Sequence, residues 1–371
     1  MGRAISTGIV SLGAAALTEP ESGFPVGGSE LQLMLLARKL AETGAFEPTV
    51  YVADIEQPAR EEGGVRIRPL VRMGADLRVT PLKALRILRR LVSARHQLYI
   101  TRSASGVNGL VARAARRARG RYAHMCAHDS ACRDAPDSTL SPAARRLHRA
   151  ALKRADLLLR QTTRQQELLR ESIGREAVVV PNLMPPAPDA EAERERSGVL
   201  WVGRDVDFKQ PGACVELARR LEAFPFTMIC QPQPGRDLQR MTSDAPANLT
   251  LIPGLPFNRI GARFARHKLY LNTSSAEGFP NTLLQAAASG MPTVSLTVDP
   301  DGVLDQFGAG VACRGDLDRA ASETRRLLTD EAAWQRHADG ASRFAQDWRA
   351  KEEQVIQALL DCCRDRGSGD D

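Results

Sequence analysis

Short apolar, β-branched segments alternate with amphipathic segments along most of this 371-residue chain, and this alternation constrains the fold more than any other feature. A strand followed each time by a helix is typical of a parallel sheet covered by helices. The predicted strands of the first half are 8–12, 49–53, 97–101, 124–128 and 177–180. Helices are predicted to begin at Ser29, with a capping-box spacing to Gln32, at Ser141, and at Thr163, spaced likewise to Gln166. The sequence therefore predicts an α/β protein.

A proline-rich, charged stretch interrupts this pattern at residues 181–197, a composition typical of a linker. Beyond it the predicted strands are 199–202, 227–230, 249–252, 269–272 and 293–298, and the predicted helices are 212–221, 281–289 and several between 318 and 364. We therefore predict two Rossmann-like βα domains. Their bounds are 1–182 and 198–349, with a linker at 183–197, a helix at 350–364 that packs back on the first domain, and a disordered tail at 365–371.

The N-terminal segment has two interpretations. Arg3 followed by the apolar stretch 4–17 has the outline of a short signal peptide, but Ser, Thr and Gly residues dilute it, and a buried first strand is the alternative. Seven irregularly spaced cysteines favour a reducing compartment, and the chain has no apolar run of about 18 residues. We expect a cytoplasmic protein, with any membrane contact peripheral, at the inner face.

The most informative motif spans residues 272–292, NTSSAEGFPNTLLQAAASGMP, where a strand ends and a helix begins near Asn281. The N–H groups at a helix N-terminus lack intrahelical partners, and the helix dipole there favours an anion such as a diphosphate. Glu277 precedes this helix, and Gln285 lies within it, where it could reach hydroxyls of a phosphate-bearing ligand. The competing interpretation is an ordinary strand–loop–helix with a surface glutamate.

Two other segments hold candidate ligand-binding residues. Arg204 and Lys209, in WVGRDVDFK, follow a predicted strand at the end where open α/β sheets bind ligands. A guanidinium fork and an ammonium suit a diphosphate, although solvated surface cations are the alternative. Gly27 and Gly28 let the backbone approach a ligand at a helix start, but they match neither the phosphate-loop nor the dinucleotide-binding glycine pattern.

Together these segments resemble glycosyltransferase family 4, the retaining, nucleotide-sugar-dependent enzymes with the GT-B fold, in which two Rossmann-like domains face each other across a cleft. The matching segments are GGSELQLMLLARKLAETG, VVVPN, WVGR…K and EGFPNTLLQAAASGMPTVS, in the family's order. The resemblance implies that Arg204 and Lys209 hold the donor diphosphate and that Glu277 faces the donor sugar. It further implies donor contacts from Gly203, Pro253, Gly254, Gly278, Phe279, Pro280, Asn281, Thr282 and Gln285.

The resemblance also places residues of the first domain in the site. Gly27 and Gly28 would close over the phosphates or the acceptor, Arg102 would contact the donor from a strand end, and His128 would act there as a catalytic residue. The competing interpretation of His128 is a strand-end histidine bonded to backbone.

One position departs from the family's pattern. Where the family usually has a second glutamate, eight residues after the first, this chain has Gln285, whose amide still offers an acceptor and two donors to a ribose. This substitution is the one feature that favours a catalytically silent nucleotide-sugar-binding homologue. A nucleotide-sugar epimerase on the same fold is a further alternative.

The sequence gives little support to a metal site. His124, Cys126 and His128, with Cys132 nearby, fit no common zinc spacing, and Asp205-Val-Asp207 matches an Asp-x-Asp pattern only by chance. The resemblance implies that no metal or other cofactor is needed, since amides and cations hold the diphosphate. It implies transfer with retention from a nucleotide sugar to a sugar, lipid-linked or small-molecule acceptor, in polysaccharide, glycolipid or glycoconjugate biosynthesis.

The net charge of +7 is unevenly divided. Residues 1–180 carry 29 Lys+Arg against 17 Asp+Glu, whereas residues 181–371 carry 22 against 27. Arginines concentrate at 86–95, 113–121 and 145–154. Solvated helix faces and contact with an anionic membrane are both open interpretations. Nucleic acid is disfavoured because only 5% of residues are aromatic and they do not interleave with the arginines.

Overall fold

The computed structural model describes residues 3–19, 27–74, 78–133, 140–186, 196–233, 235–236 and 245–364. The chain forms two compact units. The first contains the chain as far as Leu183 together with the C-terminal segment from Lys351, and the second is Met184–Ala350. Most of the predicted linker and the predicted tail at 365–371 lie outside the described residues.

An eight-stranded sheet forms the centre of the first unit. Its strands are β1 (Ile5–Val10), β2 (Phe46–Asp54), β3 (Arg60–Glu62), β4 (Val65–Arg72), β5 (Leu98–Arg102), β6 (Arg121–Met125), β7 (Leu157–Arg160) and β8 (Val178–Val179). The helices are α1 (Ala15–Thr18), α2 (Gly28–Glu42), α3 (Pro81–Ala94), α4 (Val107–Arg117), α5 (Pro142–Arg154), α6 (Thr163–Ile173) and α13 (Glu353–Arg364). The strand order is β3-β4-β2-β1-β5-β6-β7-β8, parallel throughout except for β3 against β4.

A six-stranded, fully parallel sheet forms the centre of the second unit. Its strands are β9 (Val199–Arg204), β10 (Phe226–Gln231), β11 (Leu249–Ile252), β12 (Leu269–Asn272), β13 (Thr293–Ser295) and β14 (Gly310–Ala312), in the order β11-β10-β9-β12-β13-β14. The helices are α7 (Pro211–Arg220), α8 (Phe257–Arg266), α9 (Asn281–Ala288), α10 (Val303–Phe307), α11 (Leu317–Thr329) and α12 (Glu331–Ala350). The prediction of an α/β protein with two Rossmann-like units is confirmed.

Each sheet contains one point where the strand order reverses. In the first sheet it lies between β1 and β5, and in the second between β9 and β12. The crevice at the carboxyl ends of the strands flanking such a point is where open α/β sheets bind ligands. In the N-terminal segment, for which the sequence left a signal peptide and a buried first strand open, residues 5–10 form β1. This strand pairs with β2 on one side and with β5 on the other.

Two helix starts differ from the prediction. Helix α2 has Gly27 at its N-cap, and Gln32 bonds both the N–H and the carbonyl of Leu183 instead of completing a capping box with Ser29. Helix α6 is capped one residue early, by the Thr162 hydroxyl, which accepts from the N–H of Gln165. Ser141 caps α5 as predicted.

Two strand predictions also need correction. The strand predicted at 124–128 is β6, three residues earlier, so His128 lies beyond the strand. Strand β4 is absent from the predicted elements because Pro69 interrupts its pattern and its outward residues are arginines. A register shift opposite Val52 and Ala53 accommodates this irregular stretch.

A buried histidine ties β1 to its two neighbours in the first sheet. The imidazole of His96 is 6% exposed, and its two nitrogens lie 2.7 Å from Ser6 Oγ and 2.8 Å from Tyr51 Oη. Burial, with a smaller contribution from Arg66 and Arg68, lowers the pKa of His96 to about 4. The ring is therefore neutral and hydrogen-bonded near pH 7.

This buried histidine gives a pH dependence of stability. The unfolded chain, with an ordinary histidine pKa near ~6.5, takes up the proton first, so acid favours unfolding. We expect the free energy of unfolding to be fully retained above about pH 6.5 and to fall by up to about 3 kcal/mol as the pH drops to about 4. Urea unfolding of the wild type and His96→Gln across this range measures the effect. Equal pH slopes for the two proteins would contradict it.

Candidate functional site

The carboxyl edge of the second sheet gathers the residues predicted to bind a diphosphate. Arg204 ends β9 and pairs in register with Gln231, the last residue of β10. Gly254 follows β11 with φ +74°, and a Cβ there would lie 2.6 Å from the Gln231 side-chain oxygen. Gly254, Gln231 and Arg204 therefore form a row that leads to the point where the strand order reverses.

Lys209 and Glu277 meet across that point. The Lys209 ammonium forms an ion pair with Glu277 Oε1, and the side chains are only 15% and 11% exposed. The hydroxyl of Ser274 donates to the same carboxylate oxygen at 2.9 Å. Because the pair is largely shielded from water, its attraction is stronger than that of a surface pair, and it holds both groups in place.

The backbone that carries these two groups is fixed by hydrogen bonds from β9 and from the loop after β12. Trp201 Nε1 donates to Thr273 Oγ1 at 2.8 Å, and Thr273 Oγ1 donates to the carbonyl of Lys209 at 2.7 Å. A Cβ on Gly203 would lie 2.7 Å from the Trp201 ring, so glycine is needed for this packing. The N–H of Ser275 donates to the carbonyl of Phe208 at 2.7 Å, a second link between the Lys209 turn and the Glu277 loop.

Helix α9 begins directly after the Glu277 loop. Phe279 anchors the loop through Trp348, with ring centroids 4.4 Å apart. Pro280 is the N-cap and offers no side-chain acceptor, so no N-cap side chain competes for the first-turn N–H groups. The Tyr270 hydroxyl donates to Thr282 Oγ1 at 2.6 Å and fixes the first turn. This helix start therefore suits an anionic ligand.

Two polar side chains at this edge have no partner among the residues that the structure describes. Within the ranges that the structure describes, the half-buried guanidinium of Arg204 has no ion pair and no hydrogen bond, and neither does the buried side-chain amide of Gln285. An arginine with five unused donors beside a largely buried Lys–Glu pair and an uncapped helix start forms an anion-binding arrangement.

Candidate residues of the first unit gather around its own reversal point. Arg102 ends β5 and is 7% exposed, with Nη2 donating to Asn182 Oδ1 at 2.8 Å. Burial lowers its pKa to about 10, so it stays charged near neutral pH. Gly27, the N-cap of α2, makes room for the carboxylate of Glu30, whose Oε2 would lie 2.6 Å from a Cβ there. An acidic side chain therefore already occupies this glycine turn.

His128 is bonded locally. Its ring nitrogen Nδ1 accepts from the N–H of Ser130 at 3.2 Å and so caps a short 3-10 turn, and it lies 2.9 Å from the Ser130 hydroxyl. A histidine bonded to backbone is the competing interpretation already given by the sequence. Its catalytic role and the ligand contacts of Arg102, Gly27 and Gly28 stay predictions.

The structure thus brings Arg204, Lys209, Glu277 and the start of α9 together, as the strand-end positions predicted. Sequence reasoning missed Trp201, Thr273 and Ser274, which position the Lys209–Glu277 pair. For Thr273 and Ser274 the sequence signal was the run of small hydroxyl residues directly after β12, and Trp201 had none.

Two family profiles match this chain. The profile described as "Glycosyl transferase 4-like domain" matches residues 27–183, and "Glycosyl transferases group 1" matches residues 197–330. The chain therefore belongs to the family 4-type glycosyltransferases, with the GT-B fold. A comparison with curated proteins finds no significant match.

Solved structures share this fold at low sequence identity. Sucrose-phosphate synthase from Thermosynechococcus elongatus is 15% identical with a TM-score of 0.74, over 96% of this chain and 98% of that one. Anabaena HepE, in complex with UDP and glucose, is 15% identical with a TM-score of 0.71, over 96% and 100%. A UDP-forming trehalose-phosphate synthase from Burkholderia xenovorans, in complex with glucose-6-phosphate, is 15% identical with a TM-score of 0.65, over 97% and 100%.

Two features of the described ranges concern metal ions and membranes. These ranges contain no cluster of three His, Cys, Asp or Glu side chains suited to a metal ion, and metal independence stays a prediction. None of the helices in those ranges is both long and apolar enough to cross a bilayer.

Proposed function

We propose that this glycosyltransferase moves a sugar from a UDP- or GDP-sugar to an acceptor hydroxyl, with retention and without a metal, in polysaccharide, glycolipid or glycoconjugate biosynthesis. The observation that carries the proposal is the convergence of Arg204, the Lys209–Glu277 pair and the α9 N-terminus at one reversal point. That several structures of the same fold were solved with UDP supports a nucleoside diphosphate as the ligand.

In the proposed reaction the bond between the anomeric carbon and the diphosphate oxygen breaks, and its electron pair stays on the diphosphate. Arg204, Lys209 and the first-turn amides of α9 stabilise the charge that develops there, which is the largest contribution the protein makes to the rate. The acceptor oxygen bonds to the anomeric carbon on the same face, and its proton passes to the departing diphosphate oxygen. Glu277 accepts hydrogen bonds from donor-sugar hydroxyls, and Gln285 bonds the ribose.

Lys209 binds the diphosphate and Glu277 binds the sugar, and each also positions the other. Their ion pair and the Ser274 hydroxyl hold the two groups in position before the donor arrives, so less rotamer entropy is lost on binding. We assign the acceptor to the first unit. Its buried Arg102, which is charged near neutral pH, is assigned to the donor, as the resemblance implies.

The test is a panel of UDP-, GDP- and ADP-sugars incubated with the full chain, first alone and then with hydroxyl acceptors. We expect one donor to release nucleoside diphosphate, faster with acceptor, and to give a glycoside that keeps the donor's anomeric configuration. An isomerised donor without acceptor would instead show an epimerase. Donor binding with no release for any acceptor would show a silent homologue.

A further inference from the structure

Helices α3, α4 and α5 pack side by side against the first sheet and carry an unusual charge distribution. Residues 77–128 contain twelve Arg and Lys residues and no Asp or Glu, and α5 likewise has no acidic residue. We call the outer surface of these three helices the basic face. Its exposed cations are Arg86, Arg89, Arg90, Arg113, Arg116, Arg117, Arg146, Lys153 and Arg154.

The arginines of α6 and α7 form ion pairs, whereas the nine cations of the basic face have no such partner among the described residues. On α6, Arg164 pairs with Glu167 at 2.8 Å and Arg170 with Glu176 at 2.6 Å. In the second unit Glu216 pairs with two arginines of α7. None of the nine basic-face cations forms an ion pair with any residue that the structure describes. Nine cations without an ion pair among the described residues, on three adjacent helices that carry no acidic side chain, favour an external anion as their partner.

A groove lies within the basic face. Helices α4 and α5 approach closely near their N-termini, where a Cβ on Gly109 would lie 2.9 Å from Leu147 Cβ. Towards their C-termini they leave a groove of about 530 Å³. Four alanines line it together with arginines, namely Ala112, Ala115, Ala150 and Ala151 with Arg113, Arg116, Arg119 and Arg154. Its one acidic lining residue, Asp156, is neutralised by an ion pair with Arg121 at 2.9 Å. An apolar lining flanked by cations suits one lipid molecule with an anionic headgroup.

Exposed leucines accompany these cations. Leu82 and Leu85 of α3 are 57% and 51% exposed, and they share a helical face with Arg86 and Arg89 at spacings of three and four residues. Leu147 is 43% exposed beside the groove. Apolar residues next to cations are typical of helices that lie at a membrane interface. The three helices contain no Phe, Tyr or Trp on which nucleic-acid bases could stack.

We propose that the basic face docks on an anionic phospholipid bilayer. Lipid phosphates contact its arginines, one acidic lipid occupies the α4–α5 groove, and Leu82 and Leu85 insert among the headgroups. The basic face belongs to the first unit and shares no residue with the diphosphate site of the second unit. Docking would therefore bring the enzyme to a membrane without taking part in donor binding.

The test is flotation of the full chain with vesicles of phosphatidylcholine alone or mixed equally with phosphatidylglycerol, at low and high salt. We expect binding to the mixed vesicles only, and its loss at high salt. A triple variant, Arg113→Gln, Arg116→Gln and Arg154→Gln, should lower the partition coefficient by about 100-fold, since each cation near an anionic surface contributes roughly fivefold. Leu82→Ser with Leu85→Ser should lower it roughly tenfold.

The matched control changes three ion-paired arginines by the same total charge: Arg164→Gln, Arg170→Gln and Arg219→Gln. We expect this control to keep its vesicle binding within about threefold, because its charges are already neutralised. Equal losses in both triple variants, absence of wild-type binding to the mixed vesicles, or binding to duplex DNA in preference to them would overturn the proposal. Release of nucleoside diphosphate from a soluble donor should stay unchanged in both, which separates this test from that of the proposed function.

Discussion

Lys209→Ala is expected to lower kcat for sugar transfer by about 10²- to 10³-fold, the effect of removing one donor from a preorganised charge-stabilising site. The ammonium is 15% exposed and is held by Glu277 at the carboxyl edge of the second sheet, where the departing diphosphate would sit. The free energy of unfolding should fall by no more than about 2 kcal/mol, because Glu277 keeps its hydrogen bond from Ser274. Steady-state rates and urea unfolding measure the two effects.

Lys268→Ala is the matched control for this variant. Lys268 pairs with Glu331 at 2.7 Å, but it precedes β12 and so lies at the opposite edge of the same sheet. Its loss should leave kcat within about twofold, because Lys268 lies away from the proposed diphosphate site and its partner Glu331 is 71% exposed. A Lys209→Ala enzyme as fast as the Lys268→Ala enzyme would remove Lys209 from the site.

Glu277→Ala is expected to lower kcat by about 10²-fold or more, because it removes a charge-assisted acceptor for sugar hydroxyls and the partner that holds Lys209. Its KM for the donor should rise as well, since Lys209 loses its fixed position. Glu277→Gln keeps an acceptor and should retain more activity. Rates with a saturating acceptor and varied donor separate kcat from KM.

Ser274→Ala tests whether the Glu277 carboxylate binds the donor sugar or only stabilises the local fold. It removes the 2.9 Å hydrogen bond to the Glu277 carboxylate but leaves both charges of the ion pair. We expect a loss in kcat of less than about tenfold, the value of one hydrogen bond. If Ser274→Ala and Glu277→Ala had equal effects, the carboxylate would serve the local fold and not the sugar.

The alternation of strands and helices could be predicted from sequence, because the apolar patterns of the strands and the capping residues of the helices indicate the same boundaries. Strands β11 and β12 have the predicted bounds, and Ser141 caps α5 as expected. The prediction fails where distant contacts decide: Gln32 bonds the backbone of Leu183, 151 residues away, and is therefore unavailable for a capping box. Such long-range bonds leave no periodicity in the sequence.

The candidate site likewise contains residues that local sequence patterns indicate and contacts that only the fold reveals. Arg204, Lys209 and Glu277 could be selected because strand ends in a parallel sheet share one edge. The bonds from Trp201 through Thr273 to the Lys209 carbonyl could not be predicted, because they depend on β9 and β12 being neighbours. The bonded residues are 72 and 64 residues apart in the chain. The uneven charge was visible in the sequence, whereas its concentration on three adjacent helices required the fold.

The most direct test of the central claim is calorimetric titration of UDP and GDP into the full-length wild type and into the double variant Arg204→Ala/Lys209→Ala. We predict that at least one of these nucleotides binds the wild type, more tightly than its nucleoside does. The double variant should bind it about 100-fold or more weakly, the loss of two charge-assisted phosphate contacts. A double variant that binds both nucleotides as the wild type does would contradict a diphosphate site at this edge of the sheet.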